Sequence, residues 1–557
     1  MRPKPIPLAA TLAAAAAVSL SATVAAGRVD EALAERFEGD WTRTCAVAAI
    51  VDGERVETGR YCADPTRAAR LDGAFEIGSV SKTFNAALLA SLVAEGRLSL
   101  DDPLADHVPD GVVVPVRGDR PITLRHLATH TAGLPVLPPG FAPSDPADPY
   151  AGLTPAALFE ALSATRLDAA PGDVWAYSNF GAMLLSAVIA KAAGGDYAAA
   201  LRERLLAPLG LARTAVGVGA DGVVEVAGHR PGGEPVPAWR FHPALSGAGG
   251  LRATLDDLVR YVQAQFDRES NDDPAATAAR AALAATQAAQ PGPGQPMALG
   301  WLRAPLRGRE LRVHEGGTGG FSSFVAFDPA ARRGAIVLAD TALSNLGGLA
   351  SIGLPLLDPQ VPVGAPRRAQ VPPPELLARL AGDYRLGGAL TMVVKPRDGA
   401  LVVQAAGQPA FEMGFDSAGE FHARAFDAVL RPAPDGAGFT WLQGGGATPA
   451  VRVDAASDRG ATGSRAERAP QAPASALDEY AGTYPLMPGF DLRVFVEGER
   501  LMAQATGQGA FALDPAGGDR FTAAAFGIVI DFERGDDGGI SALRLAQGGG
   551  LMRGQRK

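Results

Sequence analysis

Apolar positions recur at helical spacing over residues 29–37, and again through 83–95, in a run that ends at Gly96. That pattern predicts two amphipathic or buried helices. Between them, residues 44–51 and 54–61 read as two strands around Asp52-Gly53, a hairpin signal. Residues 100–260 carry mostly helical segments, broken by Pro- and Gly-rich loops such as 136–149. Strand patterns return at 310–315, 322–327 and 334–339. Strands at both ends with helices between them predict one antiparallel sheet built from distant segments, with a helical insertion.

The pattern changes after residue 358. Residues 359–374, rich in proline, read as a linker, and the rest of the chain is duplicated. Gly382 and Tyr384 recur as Gly482 and Tyr484, and Phe421 recurs as Phe521, at a constant offset. Such regularity marks a repeat. Short alternating strands with frequent turns predict that each copy is a small antiparallel β-barrel, at 375–455 and 475–557, joined by a linker at 456–474. The fold class is therefore α+β, with a larger unit at 27–358 followed by two barrels.

Composition adds exclusions. A formal charge of −9 argues against a nucleic-acid partner. Residues 1–26 have a basic start, a short apolar run and small residues up to Ala26, the pattern of an export signal. The run is too short for a good membrane span, so the expectation is a periplasmic or secreted protein without stable membrane insertion. Its partner is expected to be a small-molecule or peptide substrate, and oligomeric state is not legible. A two-residue loop at Gly53-Glu54 would set Cys45 directly opposite Cys62. In an oxidising compartment a cross-strand disulfide is compatible with that register, and so are two reduced cysteines. Their spacing fits no metal site.

The candidate chemistry starts from lysine usage. Five lysines stand against 46 arginines, and one of the five, Lys82, follows Ser79 by three residues. Arginine cannot be deprotonated in a protein, whereas a desolvated lysine can act as a base. Ser-x-x-Lys is thus read as an activated nucleophile and its base. Chance alone supplies the pattern roughly once or twice in a chain this long, so the context matters. Gly78 provides a turn, Ser79 falls in the first turn of the following helix, and Lys82 lies on the same face. The Ser79 N–H is then an unpaired donor available to a developing oxyanion.

Two further motifs are weaker singly. Tyr177 and Asn179 point the same way if their stretch is extended, so that a hydroxyl can pass a proton while an amide orients the substrate. A buried tyrosine with a capping asparagine is the alternative. His314 stands on a strand that runs into Gly316 and Gly317, where a ligand could approach the strand edge. His126 and His130 read as packing or capping residues.

Together, residues 75–84, 122–135, 175–185, 249–257 and 314–329 closely resemble the class C β-lactamase family of penicillin-binding serine hydrolases. That family includes D-Ala-D-Ala carboxypeptidases, D-aminopeptidases and esterases. The resemblance implies a β-lactamase-like antiparallel sheet flanked by helices, with a helical subdomain and the site at their junction. It implies Ser79 as nucleophile, Lys82 as base, Tyr177 as proton relay and Asn179 as substrate-orienting amide. It also implies an oxyanion hole from the backbone N–H groups of Ser79 and Gly317, and no metal or organic cofactor. One departure stands out: the family's β-lactamases and carboxypeptidases have Lys-Thr-Gly where this chain has His314-Glu315-Gly316. Losing that lysine should weaken recognition of a free carboxylate. The expectation is an exported acyl-serine hydrolase acting on amides or esters, with D-residue peptides the sharper form. True β-lactam hydrolysis and a non-catalytic penicillin-binding or sensor role are the alternatives.

Overall fold

The computed structural model describes residues 27–557, apart from 142, 218–222, 267–272, 387–389, 407, 424–425, 435–437, 444–445, 454–476, 488–489, 499, 506–510, 524–527, 536–537 and 548–549. The export-signal pattern at 1–26 and the linker at 456–474 lie outside the described residues.

The first unit is built on α1 (Arg28–Phe37), β1 (Cys45–Asp52), β2 (Arg55–Cys62), α2 (Ser81–Ala94), α3 (Asn179–Ala192), α4 (Leu255–Ala264), β3 (Leu302–Leu306), β4 (Arg309–Gly317), β5 (Ser322–Asp328), β6 (Arg333–Ala339) and α5 (Ala350–Leu357). The six strands form one antiparallel sheet in the order β2-β1-β6-β5-β4-β3. Distant segments meet at its centre, where Ala48 pairs with Val337. Every residue of β5 is buried, because both faces of the sheet are covered. Ala46, Ala48 and Ile50 face α1 and α5, while Val47, Ala49 and Val51 face the larger helical core that contains α2 and α3. The side-chain period of two thus sorts one strand between two cores. At the sheet edge, Gly53 and Glu54 form the hairpin loop, Cys45 lies opposite Cys62, and the two are joined as a disulfide.

The helical region holds more strand than its pattern predicts. Gly73–Glu76, Ala215–Val216, Val224–Glu225 and Leu251–Thr254 form a small separate sheet, with a two-stranded ribbon at Gly228–His229 and Pro235–Val236. Most of these pairings span two residues, too few to display an alternating pattern. Among the described residues no single helix is long and apolar enough to cross a membrane. One bent pair, Asn179–Ala192 with Tyr197–Leu206, is long and apolar enough taken together, but its first helix is buried in the core of the first unit.

The first barrel closes on itself. Eight strands from Gly382–Leu386 to Gly446–Arg452 pair antiparallel in chain order, and the last returns to the first through Tyr384 and Arg452. The second repeats the eight-strand order, and the Lys557 N–H donates to the Thr483 carbonyl (2.9 Å). The repeated tyrosines make the same bond in both copies: Tyr384 donates to the Leu380 carbonyl (3.0 Å) and Tyr484 to the Tyr480 carbonyl (2.8 Å).

The segment at 359–374 is fastened at both sides. Its Arg367 is buried, donating through Nε to Asp416 (2.8 Å) and through Nη2 to Glu420 (2.8 Å) of the first barrel. The Arg367 N–H donates to Asp40 of the first unit (2.8 Å), and Trp41 stacks on His422 at 3.6 Å. Removing one partner from such a cluster strands buried charge. Arg367→Met is expected to cost about 3 kcal/mol of stability, visible as a lower urea midpoint; an unchanged midpoint would show that the cluster holds nothing together.

Candidate active site

Ser79 sits in a tight turn, Gly78–Val80, one step before α2 rather than inside its first turn. The Ile77 N–H donates to the Leu251 carbonyl (3.1 Å), and Ser323 Oγ donates to the Ile77 carbonyl (2.8 Å). The turn is thereby pressed against β4. Gly78 adopts φ +48°, and a Cβ there would lie 2.7 Å from the Gly317 nitrogen; one at Gly316 would lie 2.0 Å from the Ile77 oxygen. Only glycine tolerates both demands. Because β3 pairs with β4 only as far as Val313, residues 314–317 extend beyond their outer neighbour. An unpaired strand edge therefore borders the serine.

The Tyr177 segment is extended and anchored on both sides by one residue. The Ala176 N–H donates to the His130 carbonyl (2.8 Å), and the Ser178 N–H donates to His130 Nδ1 (3.2 Å). The His130 and Tyr177 rings lie 4.5 Å apart. His130 itself holds φ +58°. Burial and the nearby Lys82 push its imidazole well below the usual range, so it is neutral and able to accept. Asn179 opens α3, with Ser178 as its cap: Ser178 Oγ accepts from the Gly181 N–H (2.9 Å). His130 is thus more than packing. Its sequence offers no spacing signal toward position 177, since only the fold brings the two together. His126 does cap a helix, Leu124–Ala128, together with Thr123.

The four central residues converge. Lys82 Nζ donates to Ser79 Oγ (2.9 Å), Asn179 Oδ1 (2.8 Å) and the Ala248 carbonyl (2.6 Å), and the Tyr177 hydroxyl donates to Ser79 Oγ (2.7 Å). Burial alone pulls the Lys82 amine down to about 7. That corresponds to a penalty of roughly 5 kcal/mol on its charged form. Burial pushes the Tyr177 phenol in the opposite sense, up to about 12. At neutral pH the amine can therefore give up its proton while the phenol keeps its own. A neutral amine has two N–H bonds, which Asn179 and Ala248 can hold, and its lone pair then faces the serine hydroxyl. The sequence could not show the Ala248 carbonyl, a backbone atom brought in by the turn Pro243–Ala248.

The β4 edge is less uniform. Gly317 lines the cavity beside Ser79, and Gly316 packs under the serine turn. The His314 ring is buried, with Nδ1 against the Glu315 carbonyl (2.7 Å). Burial, with Lys82 nearby, pushes it down to about 4. It is uncharged at neutral pH, more firmly than an ordinary histidine. Glu315 turns to the opposite side, where Oε1 accepts the Ala350 N–H (3.0 Å) at the start of α5. The cavity at Ser79 is also walled by Tyr150, Trp239 and Phe241, which the motifs did not disclose. In a chain with only 6% aromatic residues, the pair Trp239 and Phe241 in one loop was the available signal. Among the described residues no three His, Cys, Asp or Glu side chains gather as metal ligands.

A serine, an amine and a phenol in contact, at the junction of an antiparallel sheet and a helical region, characterise a serine hydrolase. The chain belongs to the β-lactamase family, whose sequence model matches residues 29–350. A second model, a domain of unknown function designated DUF3471, matches residues 466–555, over the second barrel. The chain is 32% identical over 284 residues to the D-alanyl-D-alanine-carboxypeptidase/endopeptidase AmpH of Escherichia coli K12, covering 48% of this chain and 71% of that protein. It is 29% identical over 379 residues to penicillin-binding protein 4 of Amycolatopsis lactamdurans, covering 62% of this chain and 93% of that one. Among solved structures, a β-lactamase/D-alanine carboxypeptidase from Yersinia pestis complexed with citrate matches with 25% identity and a TM-score of 0.46. That match covers 56% of this chain and 92% of the other.

With the amine near 7, kcat/KM for an ester substrate is expected to fall tenfold per unit below about pH 7, because protonation removes the lone pair. His314 near 4 cannot supply that limb, and a flat profile between pH 5 and 8 would exclude the amine as base. His130→Ala removes the imidazole that accepts the Ser178 N–H and packs beside the Tyr177 ring, leaving only the backbone bond to Ala176. Its kcat is expected to drop by about a hundredfold, since misplacement of about 1 Å costs that much; steady-state kinetics on folded variant would measure it.

Proposed function

We propose that this protein is an exported acyl-serine hydrolase that cleaves amide or ester bonds through Ser79, Lys82 and Tyr177. Ser79 Oγ attacks the carbonyl as its proton passes to Lys82 Nζ. The Oγ–carbon bond forms, the carbonyl oxygen becomes an oxyanion facing the N–H groups of Ser79 and Gly317, and Tyr177 relays a proton to the departing amine or alcohol. Water then attacks the acyl-enzyme and releases the acid. The observation that carries this reading is the single contact set at Ser79 Oγ, with the amine at 2.9 Å and the phenol at 2.7 Å. Export is supported by the basic and apolar pattern of residues 1–26 and by the Cys45–Cys62 disulfide.

The substrate reading follows from charge. Where the family's carboxypeptidases and β-lactamases carry a lysine, this chain has an imidazole held neutral, so a substrate carboxylate would find no cation there. Esters and peptide amides without a carboxylate at that position, including D-residue peptides, fit better than β-lactams. The names of the relatives span carboxypeptidase/endopeptidase, β-lactamase and penicillin-binding protein, which is compatible with one acylation chemistry on different substrates.

Incubation with nitrocefin, a p-nitrophenyl ester and D-alanine p-nitroanilide, followed by mass spectrometry of the Ser79 peptide, tests both levels. The expected outcome is a transient acyl adduct on Ser79, lost in Ser79→Ala, with ester or anilide turnover exceeding that of nitrocefin. Fast nitrocefin turnover without esterase activity would instead identify a β-lactamase. A long-lived penicillin adduct with no turnover would identify a binding or sensor protein.

A further inference from the structure

Gly317 is pinned from two directions. In front, it lines the cavity at Ser79, and the serine turn leaves no room for a side chain between Gly78 and the Gly317 nitrogen. Behind, a Cβ on Gly317 would collide with Ser344 Oγ. Ser344 opens the short turn Ser344–Leu346, which is tied to the sheet just before and just after: the Leu343 N–H donates to Ser322 Oγ (2.7 Å), and the Ala350 N–H to Glu315 Oε1 (3.0 Å). The next residue, Asn345, is buried, and its side chain reaches out of the first unit. Asn345 Nδ2 donates to Asp427 Oδ2 of the first barrel (2.6 Å).

Asp427 is firmly seated. It follows Phe426, whose ring meets Phe411 edge-on at 4.9 Å, and it precedes the strand Ala428–Pro432. Val429 of that strand packs, with Leu442, into the apolar cluster that holds residues of α1 and α5. Burial pushes the Asp427 carboxyl up, while the Asn345 amide and the nearby Arg230 hold it down. The duplication supplies an internal control. Residues of the barrel interior recur at the constant offset, as in Tyr384 and Tyr484, Phe421 and Phe521. Those that touch the first unit do not: Asp416, Glu420, His422 and Asp427 stand where the second copy has Ala516, Arg520, Thr522 and Gly527. The barrel fold does not require these four; their contacts with Arg367, Trp41 and Asn345 do.

We propose that the first barrel is part of the catalytic frame, with Asp427 as a positioning residue for the Gly317 N–H. It holds the Asn345 amide, and through the Ser344 turn it holds the end of β4 that carries the oxyanion donor. The proposal rests on the acyl-enzyme reading above and adds a residue, outside the unit that carries Ser79, on which that site depends. A preset donor stabilises charge only where its hydrogen is aimed at the developing oxyanion. A small shift of the strand end therefore acts on the transition state more than on substrate binding.

The test uses the full chain with a p-nitrophenyl ester and with phenylboronic acid, whose tetrahedral adduct on Ser79 Oγ places an oxygen where the oxyanion would form. In Asp427→Ala, kcat is expected to fall about tenfold and boronate affinity by a similar factor, with KM within about twofold; losing an oxyanion donor outright costs about a hundredfold or more. Asn345→Ala should show the same losses, and the double variant no more than either, because both residues act through one bond. Asp427→Asn keeps an oxygen that can accept the Asn345 amide and should recover most of kcat. Boronate affinity is a property of each folded site, so general loss of folded protein would leave it unmoved. An unchanged kcat in either alanine variant, a lower kcat with unchanged boronate affinity, or additive losses in the double variant overturns the positioning role. Undiminished turnover in Ser79→Ala overturns the acyl-enzyme reading instead, and no ester turnover by the native chain overturns both.

Discussion

A primary amine held out of water organises this molecule. Lys82 would ordinarily be charged, and burial that brings its amine down to about 7 puts roughly 5 kcal/mol on the charged form. Above pH 10.5 the amine is neutral whether the chain is folded or not, so nothing is lost. As pH falls toward 7 the unfolded chain binds the proton and the folded one resists, and stability declines across that window. The three oxygens around Nζ soften the cost and fix the amine's direction. Two of them come from elements far away in the chain, α3 and the turn at Ala248. The amine therefore demands that helix, turn and serine be assembled together, and the surrounding packing supplies that assembly.

The strand edge is the second constraint, and it follows from the first. A serine turn pressed to within a glycine's width of β4 leaves no room for side chains at Gly78 or Gly316. The sheet is covered on both faces, and the edge where β3 stops short is where a ligand can approach the serine. His314 and Glu315 then divide by strand alternation. The imidazole goes inward and loses its charge, while the carboxylate goes outward and caps α5. Charge near the serine is thus kept low by geometry as well as by the choice of histidine over lysine.

The barrels contribute a different kind of constraint. The first is not tethered loosely: Arg367 joins Asp40 of the first unit to Asp416 and Glu420 of the barrel in one buried cluster. Charges in such a setting tolerate little misalignment, which makes the orientation of the two units specific. The duplicated Tyr384 and Tyr484 bonds show that both barrels keep the same internal fastening.

Much of this was legible in one dimension because it is local. Strands β4, β5 and β6, the hairpin register that sets Cys45 against Cys62, and the duplication of short alternating strands follow from short-range patterns and turn residues. Ser79 and Lys82 are one helical turn apart, so their proximity is guaranteed wherever that turn forms. Tyr177 and Asn179 could be nominated, but not joined to them. The anchoring by His130, the carbonyl of Ala248 and the wall of Tyr150, Trp239 and Phe241 depend on segments 48 to 166 residues apart, which carry no mutual spacing. The lysine's acidity belongs to the same class. Residue order determined which groups exist and which neighbours they have along the chain; only close packing decided how little water reaches them, and desolvation is what turns an ordinary amine into a base.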